Sequence, residues 1–261
     1  MDTLPLKLTV TPLLILTASL VSRRWGEIVG GWLVGLPLTS APVCFFLALD
    51  QGMSFAAAVS LGCLAGAASE AGFSLGYSIV ARHFGWKPAI LSASFGFAVC
   101  GAAFSEAALP LWSLVAAAAA ALAAALRLMP RLADDRATLP RRPRWDIAAR
   151  MAVATGLVLG LTALAPYVGG RLSGLLATYP VFAAVLTAFS HHGRGPAAAI
   201  QVLRGLLIGL YAFIGFFAVL ASTIERIGIA ASFAAATVVA LAIQGCSLWL
   251  MGRRQQHGPA L

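Results

Sequence analysis

Charge is scarce in this 261-residue chain: Asp, Glu, Lys and Arg together make up 10% of it, against about 25% in an ordinary soluble domain. Hydrophobic residues reach 60% and the mean hydropathy is +0.90, which excludes a water-soluble fold and predicts a membrane protein. Cysteine is also sparse. Its 4 residues, Cys44, Cys63, Cys100 and Cys246, sit inside apolar runs with no metal-ligand spacing, which excludes a disulfide scaffold and a cysteine metal site. Absent too are the zincin HExxH, the GxSxG elbow, the phosphate-binding GxxxxGKS/T loop and a nucleotide glycine fingerprint on a suitable element. Neither a cofactor nor a metal is expected, and nothing here points to an enzyme.

Lysine is nearly missing, with only Lys7 and Lys87, yet the net charge is +9 because arginine is plentiful. In a soluble protein that balance would suggest nucleic acid. Here the arginines fall between apolar runs about one bilayer crossing apart, the pattern of the positive-inside rule, so the bilayer and not a nucleic acid is the expected partner.

A membrane helix needs about 20 apolar residues. Dividing the chain at its charges predicts an all-α polytopic protein of about nine such helices, near 6–22, 27–49, 53–80, 87–105, 109–126, 148–166, 168–190, 197–222 and 227–251. The pair 87–105 and 109–126, split by Glu106 and Pro110, is equally readable as one re-entrant hairpin. With the N-terminus outside and the C-terminus in the cytoplasm, every loop alternates correctly. Arg23, Arg24, Arg82, Lys87, the cluster from Arg127 to Arg150, Arg194, Arg253 and Arg254 fall inside, leaving Lys7, Arg171 and Arg226 outside. The first apolar run reads as a retained span, because its positive charges follow it.

Four regions result: 1–126, a first membrane repeat of about five helices; 127–147, an Arg/Pro-rich cytoplasmic linker; 148–252, a second repeat of about four helices; and 253–261, a cytoplasmic tail. The linker is a topology anchor or a contact for anionic lipid. The repeat is read from GGWLVGLPLTSAPVCFFLAL at Gly30, which returns as GGRLSGLLATYPVFAAVLTA at Gly169, and from FAAAV at Phe55, which returns as PAAAI at Pro196. About five preceding spans would make the second copy enter from the opposite side. Inverted repeats of this kind are a recurrent build of secondary transporters.

The repeated segment is also where a helix should break. Pro37 and Pro42 follow Gly35, and Pro180 follows Gly174; each proline removes a backbone donor, and in hydrocarbon the freed carbonyls need partners. Thr39, Ser40, Thr178 and Tyr179 offer hydroxyls there. The expectation is a pair of Pro/Gly-interrupted helices whose half-helix ends bind solute or ion, with Pro42 and Pro180 at the interruptions.

Two ionisable groups fall within spans, Glu70 and Arg204, and such groups are functional candidates by default. The FAAAV and PAAAI alignment makes Arg204 the counterpart of Cys63, on the same helix face as Glu70, and the two charges lie at nearly equal depth. They are expected to pair, either as a structural staple or as a gate in which Arg204 binds an anionic solute and Glu70 carries a coupling proton. Ser69, Ser74, Tyr77, Gln201 and Gln244 are candidates for the same cavity. His191 and His192 read as a solvated turn.

The expected function is therefore an inner-membrane permease, of bacterial type, for a small anionic solute coupled to protons or sodium, and a homo-oligomer is compatible with it. The alternatives are a non-transporting membrane scaffold or lipid-handling protein and, third, an intramembrane enzyme using Glu70 with a histidine.

Overall fold

The computed structural model describes residues 4–38, 40–107, 109–132, 146–164 and 179–256, and these are helical with no strand among them. In order they form α1 (Leu4–Trp25), α2 (Glu27–Val34), α3 (Ser40–Gln51), α4 (Met53–Val80), α5 (Trp86–Ala107), α6 (Leu111–Leu128), α7 (Asp146–Leu164), α8 (Val181–Arg194), α9 (Pro196–Ile227) and α10 (Ile229–Gln256). Five of them, α4, α5, α6, α9 and α10, are long and apolar enough to cross a membrane. The chain is a helical, membrane-embedded protein.

The nine expected spans divide differently in the structure. The segments near 87–105 and 109–126 are two separate helices of 22 and 18 residues, each packed on α4 and each long and apolar enough to cross a membrane. The segment 27–49 is no continuous helix. It stops at Val34 and resumes at Ser40, because Pro37 cannot donate to a helix ladder and Gly35 and Pro37 together interrupt the turn. Within 148–166 the described residues form one helix, Asp146–Leu164. Of 168–190, only the part from Tyr179 onward lies within the described residues.

Four corners are turned by a single glycine in the left-handed region: Gly26 (φ 98°), Gly52 (φ 94°), Gly195 (φ 83°) and Gly228 (φ 80°). A residue with a Cβ is strained there, so each glycine lets one helix end and the next begin at once. Two corners correspond. A short helix, a positive-φ glycine and a long helix follow one another in α3–Gly52–α4 and again in α8–Gly195–α9.

The hub is α9, 32 residues long, about 48 Å against a hydrocarbon core of about 30 Å. It packs on α2, α4, α6, α8 and α10, while α1 packs on α7. Where α2 crosses α9 the contact is backbone on backbone. A Cβ added at Gly35 would stand 2.8 Å from the Cα of Gly209, and a Cβ at Gly31 or Gly205 would fall into the Val202 or Ile28 carbonyl. Small residues spaced four apart allow this approach, which membrane helices use because lipid offers no hydrophobic drive toward association. The α4–α5 pair repeats the device, with Gly72 against Gly96 and Gly76 against Ser92.

Candidate functional site

Two polar centres lie near the Gly26 and Gly195 corners and a third lies further along α4. The first is built on Glu27, the first residue of α2, which is 1% exposed. Its Oε1 accepts from the Arg194 guanidinium at 2.9 Å. Its Oε2 accepts from Ser190 at 3.1 Å and from Ser22. One carboxylate thus ties the end of α1, the start of α2 and the end of α8. This contact puts the Gly26 and Gly195 corners on one side of the protein, the side expected to be cytoplasmic. Nearby, Arg150 of α7 is 1% exposed with its guanidinium 5.3 Å from the Phe189 ring centre.

The second centre joins α4 to α8. Tyr77, fully buried, meets Nδ1 of His191 at 2.9 Å. Burial and the charge of neighbouring His192 hold the His191 imidazole, at the inner end of α8, below its usual value. A neutral ring protonated on Nε2 leaves Nδ1 free to accept the Tyr77 hydroxyl proton. The expected solvated turn therefore describes exposed His192 but not His191, which is only 9% exposed.

The third centre surrounds Glu70, on α4 about two turns outward of Tyr77. Its Oε2 is buried without a hydrogen-bond partner. Tyr179 is near enough for the Glu70 charge to act on its phenol. The Tyr179 hydroxyl is 2.8 Å from Ser94 of α5, and its ring packs edge-on against Phe73 and Phe97. Pro180, next in the chain, is the N-cap of α8, with no side chain capping the first amides. A helix thus begins, positive end first, close to an unpaired carboxyl group.

The structure does not join Arg204 to Glu70. The Arg204 guanidinium donates instead to the carbonyls of Met129 at 2.7 Å, Leu126 at 3.3 Å and Pro130 at 3.4 Å. The last carbonyls of α6 have no partner within their own helix, and a guanidinium with several donors satisfies them and complements the negative helix end. The depth expected for Arg204 agrees with that role, but its side chain turns to α6 whereas Glu70 faces α5 and α8.

The other candidates separate likewise. Ser40 opens α3, and Pro42 is exposed on an apolar groove lined by Ala41, Phe45, Phe216 and Phe233. Gln244 of α10 donates to the Trp32 carbonyl at 3.3 Å and leaves its Oε1 buried and unpartnered. It braces α2 just before the interruption, together with Ser247, which accepts from the Trp32 indole at 2.9 Å. Ser69 is spent on the Ala65 carbonyl. Thr39 and Thr178 lie outside the described residues. Of the expected residues that the structure describes, Glu70, Tyr179 and Pro180 come together at one place.

Sequence reasoning passed over Glu27, which stands at a span boundary beside Arg23 and Arg24 and reads as a loop charge. The available signal was that an acidic residue had entered a loop otherwise given to arginine. Among the described residues no group of three or more His, Cys, Asp or Glu side chains could hold a metal ion.

The chain matches no protein-family model, and neither the curated proteins nor the solved structures contain a significant match to it.

Proposed function

We propose that the protein is an inner-membrane permease, a secondary transporter that moves a small anionic solute with ion coupling. The observation that carries this reading is Glu70: a carboxyl group deep in the bundle whose Oε2 is buried and unpartnered, beside Tyr179 and the open N-terminal end of α8. An intramembrane ionisable group without a structural partner is costly, and function is the usual reason it is kept. Half-helix N-termini near the midplane are where such carriers hold anionic groups. With Arg204 engaged on α6, the α8 terminus is the positive element that stands near Glu70 among the described residues.

The interruption of α2–α3 supports the same reading. Gly35 meets α9 at Gly209, about 20 Å from the start of α9, and Glu70 is about 15 Å from the end of α4, so break and carboxyl group lie within about one turn in depth. The corresponding corners α3–Gly52–α4 and α8–Gly195–α9, and the packing of α4 on α9 and α1 on α7, suit two repeats of inverted topology. The second copy of the sequence repeat, over Gly169–Gly174, lies outside the described residues.

An anion at the α8 terminus and an ionised Glu70 repel one another, so the solute should bind when Glu70 is neutral. The test is the thermal stability of the purified protein against a panel of small anions, amino acids and metabolites over a range of pH. A ligand-specific rise growing as RT ln(1 + [L]/Kd) is expected to strengthen as pH falls, and in Glu70→Gln to persist without its pH dependence. No shift from any compound, in parent or variant, would transfer the weight to the membrane scaffold.

A further inference from the structure

The paired contacts between α4 and α8 are ordered in the same sense along both chains. Tyr179, whose phenol feels the Glu70 charge, packs its ring on Phe73 at one level, and Tyr77 is bonded to His191 at the other. The two helices therefore run in the same direction, and each carries a hydroxyl residue between these contacts. On α4 that residue is Ser74, four after Glu70 and three before Tyr77, within one sector of the helix. On α8 it is Thr187, one turn before His191. Both are 0% exposed, and both hydroxyls lack a hydrogen-bond partner. Buried hydroxyls are nearly always satisfied, and here two unsatisfied ones stand between an unsatisfied carboxyl oxygen and a bonded Tyr–His pair that reaches the inner surface.

We infer that Glu70 exchanges its proton with the inner surface through this ladder, Ser74 and Thr187 then Tyr77 and His191, so that the coupling ion is a proton. The inference rests on the permease reading for its purpose but not for its chemistry. In the releasing direction, the Glu70 carboxyl proton passes to a hydroxyl at the Ser74 and Thr187 level, directly or through one bridging water, and that hydroxyl passes its own proton to the Tyr77 oxygen. Tyr77 gives its proton to Nδ1 of His191, and Nε2 releases one to solvent. The net result is one proton moved from Glu70 to the inner surface, leaving a carboxylate and the other neutral histidine tautomer; the reverse sequence recharges it. Rungs one helical turn apart, about 5 Å, are within the reach of one water. Sodium is poorly served at Glu70. A hard cation wants several convergent oxygens, whereas beside Glu70 the Tyr179 and Ser94 hydroxyls already bond each other and the free Ser74 hydroxyl stands a helical turn further along α4.

The other titratable groups on elements around α4 are committed elsewhere or distant along the helix. Cys100 lies against Gly72 and Cys44 against Ser60. Tyr211 donates to Ala119, and Arg204 is held by α6. His192, exposed beside His191, faces the inner end of the ladder.

The test follows the carboxyl infrared band of Glu70 in the protein reconstituted in lipid after a pH jump, the band being assigned by its loss in Glu70→Gln. Tyr77→Phe and His191→Gln should slow its response about tenfold or more with the folded protein intact by gel filtration. Ser60→Ala, whose hydroxyl is spent on the Ala56 carbonyl, should leave the rate alone. If Tyr77→Phe does not fold, Ser74→Ala with Thr187→Val reads the same step. A band that responds at the parent rate in all these variants overturns the ladder, as does a Glu70 that never exchanges. Since no solute is needed, slowed exchange in a protein that no compound stabilises would remove the permease reading alone, and solute binding with unchanged exchange rates would remove the ladder alone.

Discussion

Glu27 and Glu70 are both glutamates enclosed by helices, and they are enclosed differently. Around Glu27 each oxygen has a donor: Arg194 on one, Ser190 and Ser22 on the other. Around Glu70 one oxygen has none, and the nearest polar groups, Tyr179 and Ser94, bond each other. A buried carboxylate with a full set of donors and a cation fastens the elements that supply them. A carboxyl group left partly unsatisfied is one whose charge can change at small structural cost. The contrast teaches where to look for structure and where for function: the ion pair that fastens three helices is Glu27 with Arg194, and the group proposed to gain and lose a proton is Glu70.

The largest effect should come from breaking the satisfied site. Glu27→Ala leaves the Arg194 guanidinium, 16% exposed, without its counter-charge, and removal of one member of a buried pair costs about 3–5 kcal/mol. Chemical unfolding in detergent should register that loss. The double variant Glu27→Ala/Arg194→Met should recover much of it, since no charge is stranded. Equal losses in the single and double variants would mean that the serines and not the ion pair hold the corner.

A smaller effect is expected from Arg204→Ala. Its charged bonds to three carbonyls are worth about 2–3 kcal/mol together in a partly buried setting, lost as the α6 end frays. Combining it with Glu70→Gln sharpens the comparison of the two glutamates. Groups that do not touch add within about 0.5 kcal/mol, so additivity is expected, and a coupling well above that would show that Glu70 and Arg204 meet in some other state of the protein.

How far the sequence could have told these sites apart depends on what each one rests on. Helix positions follow from apolar length, which is why α4, α5, α6, α9 and α10 stand close to where hydropathy and charge put them. An interruption between Gly35 and Pro42 was legible because proline chemistry is local, but it falls at Gly35–Pro37 and not at Pro42, which stands in the first turn of α3. Pairing was not legible. Position along a helix can be counted from charges, but direction around the helix axis is set by which neighbour packs there. Arg204 turns to α6, whose terminal carbonyls advertise nothing in one-letter code. Glu27 was hidden for the converse reason: Arg194 is far away in sequence, and only the side-by-side placing of the Gly26 and Gly195 corners brings them together. Ser74 and Thr187 gained their meaning from the same kind of placement, through the Tyr77–His191 bond.

The smallest change in stability should come from Glu70→Gln, and it is the most telling of the three. Glutamine keeps the size of the side chain and removes only a charge that has no cation beside it, so the folded protein should change by less than about 1 kcal/mol, in either direction. That is a small fraction of the cost at Glu27, for the same residue type and a gentler substitution. If Glu70→Gln is as costly as Glu27→Ala, Glu70 is a second staple with a hidden partner, and the proposal of a proton carrier falls with it. If stability holds while the pH dependence of solute binding disappears, the two glutamates differ in purpose. Glu27 is then kept charged so that three helices stay together, and Glu70 is kept unsatisfied so that its charge can change.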